Sequence, residues 1–241
     1  MANYELRSFA SADDLARAAA DAWLDEIEAA NRAGKAHCVA LSGGRIMQKF
    51  FAATVEQARQ RQVSFGHAHF FWADERCVPP SDPESNFLLA DNSLFKPLGN
   101  IGENQIHRLR GEDSLQLAVK NAETELCRIA PANENDQPVL DLVLLGMGED
   151  GHVASLFPNA PQNNDVSVPF LAVKNSPKPP PCRISLGYAA IENACKAWVF
   201  VSGAGKESAL RESLSANGQT PLARVIWSRP GTKIFSDLAG F

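Results

Sequence analysis

The chain is short of positive charge. Its 23 lysines and arginines face 28 aspartates and glutamates, a formal net charge of −5. It therefore has no basic surplus of the kind that neutralises nucleic-acid phosphates or coats an anionic membrane. Cysteine is sparse too: Cys38, Cys77, Cys127, Cys182 and Cys195 are scattered, odd in number and never in C-x-x-C spacing. That argues against a disulfide framework or a zinc site and reads as reduced thiols in a cytoplasmic protein. No apolar run approaches the ~20 residues of a membrane span. The start, Met1-Ala2-Asn3-Tyr4-Glu5, has neither the basic opening nor the apolar centre of a signal peptide. There is no internal repeat and no low-complexity tail. What remains, 45% hydrophobic and 21% charged residues over 241 positions, has the profile of an ordinary globular protein.

Helical and extended patterns alternate along the chain. Ser11 opens a helix, with Asp14 three residues on as a capping-box variant. Leu15, Ala19, Ala22, Trp23, Ile27 and Ala30 follow at helical spacing until Gly34. Residues 37–41 predict a buried strand, Ser42-Gly43-Gly44 a turn, and 45–61 a helix. A strand over 65–73 leads into a loop at Asp74-Glu75-Arg76. Helices are expected over 86–95 and 114–129, with an extended piece around Ile106. The apolar run 139–145 suits a buried strand. Further strands are expected at 170–173, 183–186 and 197–202, a helix at 206–214, and short extended pieces at 225–227 and 232–235. This alternation predicts an α/β fold: one domain over residues 1–241, a three-layer sandwich with a mostly parallel, doubly wound sheet and helices on both faces. The proline-rich stretch 177–181 is too short, and too closely flanked by strands, to link two domains.

The most chemically loaded stretch follows the 139–145 strand: Gly146-Met147-Gly148-Glu149-Asp150-Gly151-His152-Val153-Ala154-Ser155-Leu156-Phe157-Pro158. Glycines let the backbone approach a ligand closely. Asp150 and His152, two residues apart, can be aimed into one cleft beyond the carboxyl ends of the strands. This stretch closely resembles the G-x-G-x-D-G-H-x-A-S-L-F-P signature of 6-phosphogluconolactonases, which share a fold with glucosamine-6-phosphate deaminases. Two further segments agree with it. Trp72-Ala73-Asp74-Glu75-Arg76-Cys77-Val78-Pro79-Pro80, followed by Ser85-Asn86, resembles the family's D-E-R-x-V-P segment with its later S-N. Leu41-Ser42-Gly43-Gly44 resembles its sugar-phosphate loop. The likeness runs from about Asp13 to Ile234.

The resemblance implies hydrolysis of 6-phospho-D-glucono-1,5-lactone to 6-phosphogluconate, with no metal or nucleotide cofactor and a sugar phosphate as the only small-molecule partner. His152 would be the base, since imidazole ordinarily titrates near pH ~6.5, and Asp150 would orient it. Loop amides around Gly148 to Gly151, or Arg76, would meet the oxyanion. Asp74 and Arg76 would face the cleft, with Glu75 structural. Ser42, Gly43 and Gly44 would offer amides to the phosphate at a helix start, and Arg183 and Lys206 match places where the family holds it with basic residues. The chain departs from the pattern twice. Arg45-Ile46-Met47 stands where relatives continue with Ser or Thr and then proline, and Gly187-Tyr188 where they carry threonine. Arg45 would then either reach the phosphate as a bidentate donor or remain solvated.

Two other functions compete with this one. A glucosamine-6-phosphate deaminase usually has an aromatic residue at the place of Arg76 and Asn-Glu-Pro in place of Ser155-Leu156-Phe157-Pro158, and both differences favour the lactonase. A non-catalytic sugar-phosphate sensor is the third possibility. His67 and His69 share one face of the 65–73 strand but lack a third ligand at metal-binding spacing. A monomer or weak homodimer is expected.

Overall fold

A computed structural model describes residues 3–161 and 168–241. The chain runs β1 (Tyr4–Ser8), α1 (Ala12–Ala33), β2 (His37–Leu41), α2 (Arg45–Arg61), β3 (Ala68–Trp72) and β4 (Asp74–Arg76). Then come α3 (Asn86–Ala90), α4 (Lys96–Leu98), α5 (Leu115–Ile129), β5 (Leu142–Gly146), β6 (Phe170–Val173) and β7 (Arg183–Leu186). It closes with α6 (Tyr188–Asn193), β8 (Ala197–Val201), α7 (Glu207–Leu214), α8 (Pro221–Ser228) and β9 (Thr232–Ser236). Six strands form a parallel sheet in the order β1-β9-β8-β5-β2-β3. The three residue runs at its centre, His-Cys-Val-Ala-Leu, Leu-Val-Leu-Leu-Gly and Ala-Trp-Val-Phe-Val, are almost wholly buried. That is the pattern of strands covered on both faces. Trp23, Phe50 and Phe200 tie α1 and α2 to β8, with ring centroids 5.4 Å and 5.2 Å apart in turn.

Local signals fix the ends of the long helices. The Ser11 hydroxyl accepts from the Asp14 amide, and Gly34 closes α1 in the left-handed conformation at φ 61°. α2 starts without a side-chain cap or an acidic first turn, so its first amides stay open to a ligand.

A second, antiparallel sheet of order β4-β7-β6 was not anticipated. Asp74-Glu75-Arg76, expected as a loop, is its first strand, paired with Ser185, Ile184 and Arg183. Ala73 makes the transfer between sheets: its N–H donates to Leu41 O at 2.7 Å, and its C=O accepts from Leu186 N at 2.7 Å. Three other expectations are corrected. The strand expected over 65–73 begins at Ala68, because the Ala68 amide turns back to Phe65 O at 3.0 Å. The helix expected over 86–95 continues but widens by one residue per turn at Asp91–Phe95. Residues 225–227, expected to be extended, lie in α8. Thr220 Oγ1 accepts from the Ala223 amide there, Pro221 opens the first turn, and Leu222, Val225 and Ile226 are buried. The branched pair Val225-Ile226 is the buried stripe of a helix whose start was set by Thr220-Pro221. β1, α4 and α6 had no expectation attached.

Thr220 also exchanges a hydroxyl hydrogen bond of 2.6 Å with buried Ser213. Thr220→Ala removes the cap and one of the two hydrogen bonds of the Ser213 hydroxyl, which keeps its bond to Ala209 O at 2.6 Å, so a loss of about 1–2 kcal/mol is expected. It should appear in urea as a lower midpoint with an unchanged slope; an unchanged midpoint would refute this role.

Candidate active site

Beyond the carboxyl ends of β2, β5 and β8, the loops of the large sheet face β4 and β7 of the small one across a cavity of ≈ 480 Å³. Ser42, Gly43, Gly44 and Arg45 line it after β2, Gly148 and His152 after β5, and Lys206 after β8. Asp74, Arg76 and Arg183 line it from the small sheet. Two residues named from the sequence do not. Asp150 stands behind the imidazole of His152. Gly151, expected to touch substrate, is turned towards α8: its C=O accepts from Leu222 N at 3.1 Å, and a Cβ on it would meet Thr220 at 2.7 Å.

The histidine loop is closed on itself. His152 Nδ1 lies 2.5 Å from Asp150 Oδ1, its ring sits 4.6 Å from that of Phe157, and its carbonyl accepts from Gly148 N at 2.9 Å. Gly148 is required there, because a Cβ would collide with the imidazole. Burial holds the His152 pKa below 6.5 against the opposing pull of Asp150. Burial raises the Asp150 carboxyl, but the hydrogen bond and charge of His152 outweigh it and leave the net shift downward. The ring is thus a neutral base with Nδ1 bound and Nε2 left to the cavity. Two of the loop amides expected as oxyanion donors are engaged, Gly148 N with His152 O and Gly151 N with Gly148 O at 3.1 Å, and the next amide, His152 N, reaches Asp150 Oδ1 at 3.3 Å. Arg76, on the cavity wall, offers a charged donor. Its Nη1 bonds Glu84 O at 2.6 Å, while its buried Nε has no partner.

Asp74 and Glu75 point to opposite sides of β4, as neighbours on a strand do. Glu75 is enclosed, accepting from the amides of Arg76, Asn86 and Phe87, each at 2.8 Å, and from Ser85 Oγ at 3.0 Å. Burial raises its pKa and those bonds oppose the rise. Asp74 is held on the cavity side by Ser155 Oγ at 2.6 Å and Asn86 Nδ2 at 3.2 Å. Asn86 in turn fills the space above Gly43, where a Cβ would collide with its side-chain amide.

Six cations line the cavity, Arg45, Lys49, Arg76, Lys178, Arg183 and Lys206, and they differ in what binds them. Arg183 is buried, and most of its donors are engaged: Nε with Pro180 O, Nη2 with Lys178 O and Pro179 O, and Nη1 with Ser155 Oγ, at 3.1–3.5 Å. It therefore staples the 178–180 strap, which puts Lys178 on the cavity wall. The Lys206 pKa is lowered, by burial first and then by the nearby charge of Arg45. Lys178, Asn86 and Ser155 were missed from the sequence. Asn86 and Ser155 sit inside the quoted motifs, so a signal existed; Lys178 had none beyond its prolines. His69 and His107 are 3.0 Å apart and His107 bonds Glu125 at 2.7 Å; His67 lies outside β3. Among the described residues no cluster of three or more His, Cys, Asp or Glu could hold a metal.

A family model described as glucosamine-6-phosphate isomerases/6-phosphogluconolactonase matches residues 10–234. A 6-phosphogluconolactonase of Haemophilus influenzae is 36% identical over 72% of each chain. One from Streptomyces coelicolor is 32% identical over 88% of this chain and 87% of its own. The structure of 6-phosphogluconolactonase from Trypanosoma brucei superposes with a TM-score of 0.83 at 23% identity, covering 98% of this chain and 97% of that one, a likeness of fold.

Gly148→Ala is expected to push the imidazole out of its slot. The ring would then lose the burial that lowers its pKa, so by NMR it should titrate closer to 6.5 than in the parent. An unchanged titration would mean that the loop tolerates the methyl group.

Proposed function

The chain belongs to the glucosamine-6-phosphate isomerase and 6-phosphogluconolactonase family and acts as a 6-phosphogluconolactonase of the pentose phosphate route, and we propose that His152 drives this hydrolysis by activating water. The observation that carries the reading is a neutral imidazole, fixed through Nδ1 by Asp150, facing a cavity ringed by cations. Nε2 takes a proton from water as its oxygen attacks the lactone carbonyl. Arg76, whose guanidinium lines the cavity, meets the oxyanion. The tetrahedral intermediate then expels the ring oxygen, which takes the proton back from the imidazolium and leaves as the hydroxyl of the open acid. Asp74, held by Ser155 Oγ and Asn86 Nδ2, orders the sugar.

At the other end of the cavity the phosphate meets the open amides of α2 after Ser42-Gly43-Gly44, with Arg45, Lys178 and Lys206 around it. Arg183 acts there mainly through the strap it holds. A deaminase reading is disfavoured by Arg76 and by Ser155-Leu156-Phe157-Pro158. Residues 1–241 are taken as one domain, supported by a core cluster that includes residues of both sheets. Among the described residues no helix is long and apolar enough to cross a membrane. Among the described residues the exposed large apolar side chains, Leu117 and Trp227, are few, which supports a monomer or weak homodimer, and the free thiols support a cytoplasmic location.

His152→Ala should lower kcat roughly 10²–10⁴-fold after subtraction of spontaneous hydrolysis. In the parent, kcat/KM should fall on acidification with its midpoint below pH 6.5, because the base is lost when the imidazole protonates and burial lowers its pKa from 6.5. Parent-like turnover in the variant, or an acid limb centred above 6.5, would remove His152 from this role.

Arg45 tests the phosphate end. Arg45→Ser restores the hydroxyl common in the family, yet it should weaken 6-phosphogluconate binding about tenfold by calorimetry at low salt, since a charge-assisted contact is lost. Equal or tighter binding would place Arg45 in solvent.

A further inference from the structure

The two arginines of the small sheet are each followed or preceded by a cysteine. Arg76 lies opposite Arg183 in the β4–β7 register, so the next antiparallel pair outward is Cys77 opposite Cys182. The Cys77 amide confirms the pairing by donating to Cys182 O at 3.0 Å. Directly opposed residues put their side chains on one face, here the face away from Arg76 and Arg183. Both are free, partly exposed thiols. Cys38, in contrast, is buried, and its thiol is pushed up to about 12 by that burial.

The spacing suits a disulfide that forms and breaks. A hydrogen-bonded antiparallel pair has Cα atoms about 5.5 Å apart, inside the usual disulfide range of roughly 4.4–6.8 Å. Its Cβ atoms, about 4.5–5.5 Å apart, are wider than the roughly 3.5–4.5 Å of a relaxed bridge. Closing the bond therefore draws the strands together and strains the link, and strained, accessible disulfides are the readily reduced ones. The ladder can yield at this point, because Val78 N already turns back to Arg76 O at 2.8 Å. It cannot yield in every direction. Gly111 backs the 76–78 segment so closely that a Cβ there would collide with Arg76 O, so the pull passes to Arg76.

We propose that Cys77 and Cys182 form a reversible cross-strand disulfide that lowers lactonase activity by displacing Arg76 and Arg183. The oxidant is a low-molecular-weight disulfide such as oxidised glutathione. A thiolate of the pair attacks one sulfur of the oxidant and expels one glutathione thiolate. The second protein thiol then displaces the other, so two thiols are oxidised to one S–S bond while one disulfide is reduced to two thiols. Burial raises the Cys77 thiol to about 11, so little of it is thiolate and it acts as the resolving residue.

The test uses the full chain carrying Cys127→Ser and Cys195→Ser, which removes the two exposed thiols. Incubation with oxidised glutathione should give a peptide linking residues 77 and 182 by non-reducing mass spectrometry. In the same sample kcat/KM should fall roughly tenfold, as small misplacements of substrate-facing groups do, and dithiothreitol should restore it. Adding Cys77→Ser, or separately Cys182→Ala should the first variant fold poorly, should leave activity unaffected by oxidised glutathione. Glutathione stably bound to Cys182 without a link, no reaction at either thiol, or a linked enzyme of unchanged kcat/KM would each overturn the proposal.

Discussion

The cavity depends on Ala73 forming hydrogen bonds in two sheets at once. With its N–H in the parallel sheet and its C=O in the antiparallel one, it turns the chain through a corner without leaving either buried group unpaired. Because β4 starts on the next residue, Asp74 and Arg76 are carried to face the loops that end β2, β5 and β8. The two halves of the site thus come from different sheets, and a single pair of backbone bonds fixes their separation. Arg183, opposite Arg76, is placed by the same register.

The polar interior is connected in one chain. Ser155, from the histidine loop, bonds Asp74 of the small sheet through its hydroxyl and Ser185 Oγ of the same sheet through its amide at 3.1 Å. The loop carrying His152 is therefore moored to the sheet carrying Arg76, which matters for a reaction in which base and oxyanion donor act on the same carbon. Burial works differently on the charged groups here. It keeps His152 neutral and lowers Lys206, while Glu75 is compensated by four hydrogen bonds and holds the backbone around Asn86 in place.

Much of this was legible in the sequence, because it rested on local patterns. The apolar runs of β2, β5 and β8 could be read as covered strands, and Gly-rich segments with Asp150, His152 and Ser42 marked where the strands empty into the cavity. What was not legible depended on distant partners. Asp74-Glu75-Arg76 has no apolar alternation and becomes a strand only because residues 183–185, far along the chain, pair with it. Lys178 stands among prolines with no motif to mark it, since its place on the wall is set by the guanidinium of Arg183. The amides of Gly148 and Gly151 could not be known to be engaged before the loop's closure was seen. Val225-Ile226 misled because branched residues suit strands as well as the buried side of a short helix, although Thr220-Pro221 held the correct signal.

Gly43 and Asn86 illustrate a consequence for how such a site can vary. The side-chain amide of Asn86 occupies the volume that any β-carbon at position 43 would need, while its Nδ2 supports Asp74. One residue belongs to the phosphate-side turn and the other to the segment behind β4, so the two ends of the substrate are coupled through a shared void. A larger residue at 43 would require a smaller one at 86, and Asp74 would then lose the Asn86 donor and keep that of Ser155. Neither position can drift alone, and the pair should be inherited together or exchanged together.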